Sequence, residues 1–169
     1  MAWEHQRLRR RAAACGVGDD DLDALVADLH IASKTYTLEA YDEVSDVLGE
    51  LRGRGVTVAI CSNWDWDIER AVAASGLDGA TDVVVTSAQA GARKPNPRIF
   101  RHTLERCGVG PAETLFVGDT MYADVDGPLA YGMAAVHVWR DDMVGDPGPV
   151  PAGAVRVPDL RPVLDLTGP

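Results

Sequence analysis

The segment 115–124, Leu-Phe-Val-Gly-Asp-Thr-Met-Tyr-Ala-Asp, carries two acidic residues at a spacing suited to chemistry. Asp119 follows a short apolar run and a glycine, which predicts a strand ending in a turn, and Asp124 comes five residues later. Turns at the carboxyl ends of parallel strands open onto the ligand crevice of α/β proteins. Because carboxylates bind hard cations and exchange protons, the pair predicts a metal site or an acid–base site.

Polar residues also follow two other segments. Ser62 and Asn63 come after a β-branched run at 56–61, and Lys94 lies in Arg-Lys-Pro-Asn-Pro at 93–97. At one edge of a sheet, these residues and the two acids would bring together a hydroxyl, a free backbone amide, an ammonium and two carboxylates. Such a group can receive a phosphoryl group and a divalent cation, since Mg²⁺ takes a few carboxylates plus water and substrate oxygens.

The elements that must position these residues alternate between strand and helix. Apolar runs predict strands at 56–61, 82–86, 114–117 and 134–138, and an edge strand at 154–157. Helical spacing predicts helices at 3–15, 20–33, 39–52, 67–75, 98–107, 122–131 and 159–166. Unbroken apolar strands that alternate with helices are typical of a parallel sheet covered on both faces. We therefore expect an α/β fold.

Composition argues against several classes of partner. With 169 residues the chain suits one domain, and a formal charge of −10 argues against binding nucleic acid. No apolar run approaches the roughly 20 residues that span a bilayer. The three cysteines are dispersed, as in reduced intracellular proteins, and residues 1–11 do not resemble a secretory signal. We expect a soluble, cytoplasmic protein with no membrane partner, whose phosphate-bearing ligand is a small molecule.

The order of the motifs resembles that of the haloacid dehalogenase-like hydrolase superfamily. Cys61-Ser62-Asn63 is similar to its second motif, Lys94 within 91–97 is similar to its third, and 117–124 is similar to its fourth. The resemblance runs from about residue 41 to the end. It implies a Rossmann-like core over 41–169 and, over 1–40, part of the helical cap that shapes substrate choice in such proteins.

The resemblance also implies a role for each of these residues. Ser62 and the backbone amide of Asn63 would bind phosphate, and Lys94 would brace both the phosphate and a carboxylate. Asp119 and Asp124 would hold Mg²⁺, with Lys94 and Asp119 as catalytic residues. The implied reaction is phosphoryl hydrolysis on a small, phosphorylated molecule.

The superfamily's first motif, an apolar strand followed by Asp-x-Asp, supplies the nucleophilic aspartate, and no segment of this chain resembles it. The run Asp19-Asp20-Asp21 has the spacing but follows Cys15-Gly16-Val17-Gly18, so we interpret it as a helix start. Asp65-Trp66-Asp67 follows the second motif and begins a predicted helix, which argues against catalysis. We expect the nucleophile to lie outside this chain, and the chain alone to be a poor phosphatase.

The absent strand also has a structural consequence. In the superfamily it lies mid-sheet, between the strands predicted here at 56–61 and 114–117. Without it, those two edges must pair with each other, recruit a strand from another chain, or leave backbone groups unsatisfied at about 1–3 kcal/mol each. We therefore predict a rearranged sheet, or a homo-oligomer or partner chain that covers the gap.

Two other functions remain open. In the first, a shortened family member serves different small-molecule chemistry. Its candidate residues are Asp65, Asp119 and Asp124 as acid or base, and Trp64, Trp66, Tyr122 and His137 as pocket lining. For the aromatic residues, packing in the core or at its rim is the competing interpretation. In the second, the chain is a non-catalytic module that offers its open sheet edge to a partner.

Overall fold

The computed structural model describes residues 6, 9–10, 12–35, 38–64 and 68–168. The chain divides into two units, one over residues 1–38 and the other over 39–169. The first unit contains helix α1 (Asp19–Thr35), preceded by helical residues at positions 6, 9–10 and 12–14. The interpretation of the acidic run at 19–21 as a helix start is confirmed, and such a start is favourable beside the positive end of the helix dipole. The role of this unit as a cap stays a prediction.

The second unit alternates strands and helices. Its strands are β1 (Ala59–Ser62), β2 (Val83–Thr86), β3 (Leu115–Gly118), β4 (Ala134–Val138) and β5 (Ala154–Val157). Its α-helices are α2 (Val44–Gly53), α3 (Ile68–Ala74), α4 (Ser87–Ala90), α5 (Pro97–Cys107), α6 (Gly127–Ala130) and α7 (Val163–Leu166). A 3₁₀ turn lies at Pro111–Glu113 and a π-helical turn at Met121–Asp126. All the strand pairs are parallel, so the predicted α/β fold is confirmed.

The five strands form two sheets, with β1 paired to β2 in one and the order β3-β4-β5 in the other. Among the described strands, β1 and β3 do not pair with each other. The rearranged sheet that would have joined these two edges is therefore not formed. The break lies where a central strand was expected to be missing, and whether another chain covers it stays a prediction.

Two hydrophobic clusters hold the two sheets in one unit. One cluster joins Val58, next to β1, with side chains of α2, β4, β5 and α7, and Leu115 and Val117 of β3 pack against it. The other joins β2 with α5, and both Cys61 and Phe116 pack against it. Neighbouring residues of β3 thus face opposite clusters, as the alternation of side chains along a strand requires. Residues at or next to β1 and residues of β3 therefore pack in the same two hydrophobic clusters, although the two strands are not paired by hydrogen bonds.

The helix predicted at 39–52 begins later, at Val44, because tertiary contacts hold the preceding residues. Buried Glu43 lies 2.6 Å from the Arg140 guanidinium, which stacks 3.5 Å from the centre of the Tyr41 ring. Burial raises the pKa of Glu43, but hydrogen bonds from Arg140 and backbone amides outweigh it and hold the pKa below its usual value. This ion pair overrides the helical pattern.

Two other boundary predictions were also wrong. The strand predicted at 56–61 begins at Ala59, because the Val58 amide donates to the Asp82 carboxylate (2.9 Å). The helix predicted at 122–131 is π-helical up to residue 126 and α-helical only over α6. Pro128 has no amide proton and its ring would clash with the carbonyl four residues earlier, so a continuous α-helix is disfavoured there.

No helix in the described part of the chain is long and apolar enough to cross a membrane. The predicted cytoplasmic location stays a prediction.

Candidate functional site

The loop between α4 and α5 brings the ends of β1 and β3 together through Lys94. The Lys94 ammonium lies 2.6 Å from Asp124 Oδ1, and both side chains are largely buried, with 11% and 7% of their surfaces exposed. The ammonium also lies 5.2 Å from the centre of the Phe116 ring on β3. A cation over an aromatic face and beside a carboxylate is held by both contacts.

The side chain of Asn63, directly after β1, holds the main chain of Lys94. Asn63 Oδ1 accepts a hydrogen bond from the Lys94 amide (2.6 Å), and Asn63 Nδ2 donates one to the Lys94 carbonyl (3.2 Å). The sequence assigned only the backbone amide of Asn63 to the site. Its side chain has a further task, because this two-bond clamp sets where the Lys94 ammonium can reach.

Asp124 lies in the π-helical turn and is 5% exposed. Its Oδ2 accepts a hydrogen bond from the Thr120 amide (3.1 Å). Its Oδ1 is buried without a hydrogen bond of good geometry, so the 2.6 Å contact with Lys94 is chiefly ionic. A Cβ atom on Gly118 would lie 2.5 Å from Asp124 Cβ and 2.7 Å from Oδ2. Glycine at 118 therefore makes room for the carboxylate, a requirement that the sequence analysis missed.

Asp119 is exposed, directly after β3. Its Oδ1 accepts a hydrogen bond from the Thr120 hydroxyl (3.1 Å). Among the described residues, no group of three acidic, histidine or cysteine side chains could hold a metal ion. Asp119 and Asp124 nevertheless suit Mg²⁺, which takes one or two carboxylates and fills its remaining positions with water and substrate oxygens. Asp124 Oδ1, which pairs with the Lys94 ammonium but makes no hydrogen bond of good geometry, is consistent with such a site.

Ser62 ends β1 and is half-buried. Within the described part of the chain, its hydroxyl makes no hydrogen bond and can donate to a ligand. Burial raises the pKa of the thiol of the preceding residue, Cys61, despite the opposing effects of a hydrogen bond with Thr103 and of the Lys94 charge, so the reactive thiolate is disfavoured.

The proposed lining residues have different positions. Tyr122 is 69% exposed, whereas His137 is 1% exposed and thus belongs to the core. Trp64 is half-buried, and its carbonyl accepts a hydrogen bond from the Ser87 hydroxyl (2.9 Å). Asp65 and Trp66 lie outside the described residues, as does Asp67.

Known proteins with similar sequences include hydrolases. A sequence profile described as haloacid dehalogenase-like hydrolase matches residues 4–132. The mouse (Mus musculus) haloacid dehalogenase-like hydrolase domain-containing protein 3 is 35% identical over 138 residues, covering 79% of this chain and 55% of that protein. A phosphoserine phosphatase of Thermus thermophilus is 38% identical over 125 residues, covering 73% of this chain and 49% of that protein. The chain spans about half the length of these curated relatives.

A solved structure shares the fold. The crystal structure of a dehalogenase with an intermediate complex aligns with a TM-score of 0.74 at 26% identity, covering 98% of this chain and 71% of that one. The similar proteins thus include both a phosphatase and a dehalogenase.

Proposed function

Because the chain belongs to the haloacid dehalogenase-like hydrolase family, we propose that it carries the phosphate-binding and cation-binding half of a phosphohydrolase site. Its ligand is a small phosphorylated molecule. The observation that carries this proposal is the cluster in which Lys94 contacts both Asn63, beyond β1, and Asp124, beyond β3. An ion pair that only stabilises the fold needs no hydrogen-bond donors beside it. A phosphate site does need donors next to its cation, and Ser62 and Asn63 at the end of β1 supply them.

The residues divide the work by their chemistry. The Ser62 hydroxyl and the backbone amide of Asn63 donate hydrogen bonds to phosphoryl oxygens, and the Lys94 ammonium offsets the negative charge of those oxygens. Asn63 holds Lys94 in place through its side chain. Asp119 and Asp124 are the residues that would hold Mg²⁺, which stabilises negative charge on phosphoryl oxygens when bound.

The nucleophilic carboxylate of this reaction is not supplied by these residues. Asp124 is buried against Lys94, and the acidic run 19–21 begins a helix rather than following a strand. Removing the nucleophile from another hydrolase lowers kcat by about 10⁶-fold. The described site is therefore a binding site whose chemistry depends on a carboxylate from elsewhere.

We expect the chain to bind inorganic phosphate in the presence of Mg²⁺, yet to hydrolyse p-nitrophenyl phosphate far more slowly than an ordinary enzyme. Calorimetry measures the binding and absorbance of released nitrophenol measures the turnover. Asp119→Ala should weaken Mg²⁺ binding, because it removes one of the two carboxylates. Arg161→Ala, at an exposed ion pair with Asp159, is the matched control. Ordinary turnover rates, or unchanged Mg²⁺ affinity in Asp119→Ala, would contradict the proposal.

We also propose that a strand from another polypeptide covers the gap between β1 and β3. The Val58 carbonyl accepts from the Asp82 amide on the β2 side (2.8 Å), and the Thr114 carbonyl accepts from the Ala134 amide on the β4 side (3.2 Å). Because backbone groups alternate in direction along a strand, those of Cys61 and Val117 point away from these neighbours, towards the gap. Such an edge invites pairing.

Hydrogen exchange followed by NMR tests the gap directly. In a monomer, we expect the amide protons of Cys61 and Val117 to exchange much faster than those of Ile60 and Phe116, which face β2 and β4. In an oligomer or complex whose strand fills the gap, all four should be protected. Light scattering of the same sample gives the oligomeric state. A monomer in which all four amides are protected would show that no added strand is needed.

A further inference from the structure

The residues at the end of β3 align with a buried histidine and an arginine on the next two strands. Gly118 of β3 lies opposite His137 of β4, and His137 lies opposite Arg156 of β5. In parallel strands, residues in register place their side chains on the same face. His137 is 1% exposed, which is unusual for a polar ring that the proposed phosphate site does not use.

The hydrogen bonds of His137 define its tautomer. Arg156 Nε donates to His137 Nδ1 (2.9 Å), and because a guanidinium can only donate, Nδ1 must be the unprotonated nitrogen. The ring proton of neutral His137 is therefore on Nε2, which lies 3.1 Å from the carbonyl oxygen of Asp119. His137 thus donates a hydrogen bond to the main chain of Asp119.

Arg156 is itself held by the loop that precedes β5. Its Nη2 donates to the carbonyls of Pro147 (3.0 Å) and Gly148 (2.8 Å). Three acceptors on two segments orient one guanidinium. A hydrogen-bonded chain therefore runs from this loop through Arg156 and His137 to Asp119.

We infer that His137, locked as the Nε2–H tautomer by Arg156, is a positioning residue for Asp119. The Asp119 carboxylate is exposed and, within the described part of the chain, only the Thr120 hydroxyl bonds to it. Its direction is therefore set by its main chain, and His137 holds the carbonyl of that main chain. The expected effect on Mg²⁺ affinity rests on the proposed function. The hydrogen bonds from Arg156 to His137 and from His137 to Asp119 do not.

The experiment replaces Arg156 and measures the tautomer of His137, the backbone carbonyl of Asp119 and the affinity for Mg²⁺. In the unchanged protein, ¹⁵N NMR should show His137 with a protonated Nε2 and a bare Nδ1. Arg156→Met removes the hydrogen bond donated to His137 Nδ1, so we expect His137 to populate both tautomers and the ¹³C resonance of the Asp119 backbone carbonyl to shift. The affinity for Mg²⁺ should fall on the order of 10-fold, as for other residues that orient metal ligands. Arg156→Lys keeps a donor and should restore all three readouts in part. His137→Phe keeps an aromatic side chain but removes the Nε2 donor, and it should reproduce the shift of the Asp119 backbone carbonyl and the loss of Mg²⁺ affinity.

Arg106→Gln is the matched control. Arg106 also donates to a backbone carbonyl, but that carbonyl belongs to Val84 of β2 (2.7 Å), in the sheet that does not contain His137. It should leave the tautomer, the Asp119 carbonyl and the Mg²⁺ affinity unchanged. An unaltered tautomer and Asp119 resonance in Arg156→Met would overturn the inference, whatever the thermal stability of the variant. If the unchanged protein binds no Mg²⁺, the proposed metal role fails, and the NMR readouts alone decide the positioning role.

Discussion

Replacing Lys94 with methionine should destabilise the second unit by about 3–5 kcal/mol, because it leaves the buried Asp124 carboxylate without its counter-ion. Only 7% of the Asp124 side-chain surface is exposed, and its Oδ1 has no hydrogen bond to fall back on. Urea unfolding followed by circular dichroism measures the loss. The same variant should also lose affinity for inorganic phosphate, since it removes the ammonium of the proposed site.

A double variant separates the ion pair from the fold. Lys94→Met combined with Asp124→Leu removes both charges, so most of the lost stability should return while phosphate binding stays absent. Arg161→Met is the control for the loss of an exposed ion pair, because 63% of the Arg161 side chain is exposed, and it should cost less than about 1 kcal/mol. If Lys94→Met is as mild as this control, Asp124 does not depend on Lys94.

Gly118→Ala is the second change with a large expected effect. The added Cβ would lie 2.5 Å from Asp124 Cβ, an atom close to the backbone that cannot move aside as a flexible side-chain end can. We expect a loss of about 1–3 kcal/mol, typical of overpacking, together with weaker Mg²⁺ and phosphate binding as the carboxylate moves away from Lys94. Unfolding and calorimetry on the same protein measure the two effects.

Two variants show whether the clash itself is responsible. Gly49→Ala adds the same methyl group inside α2, where no atom beyond the adjoining residues and the helix's own backbone lies within 4 Å of the new Cβ, and should be neutral or slightly stabilising. Asp124→Gly removes the opposing Cβ, so adding it to Gly118→Ala should give a loss smaller than the sum of the two single losses. Additive losses would mean that residues 118 and 124 do not collide.

The effects of these variants share a structural origin. Lys94 and Gly118 contact one residue, Asp124, from two segments far apart in the chain, and Asn63 holds the main chain of Lys94 from a third. Deletions within such a group should couple strongly, whereas changes at exposed ion pairs elsewhere should add.

The sequence alone determined the order of the elements and the residues at the strand ends. Helix α5 begins at Pro97, one residue before its predicted start, because proline suits the first turn of a helix, and β4 spans the predicted residues. These features depend on neighbours a few residues away, so local periodicity and capping encode them. The same local signals placed Ser62 and Asp119 at strand ends, Lys94 in a loop and Asp124 near the start of the following helix.

Only the tertiary structure decided how these residues meet. The sequence did not show that the five strands form two sheets. Nor did it show the hydrogen bonds from Asn63 to Lys94, from Arg156 to His137 and from His137 to Asp119, which join residues 18 or more positions apart. The sequence shows a glycine before Asp119 but not that its missing side chain admits Asp124. Such contacts depend on backbone positions in three dimensions, for which residue type and spacing carry no direct signal.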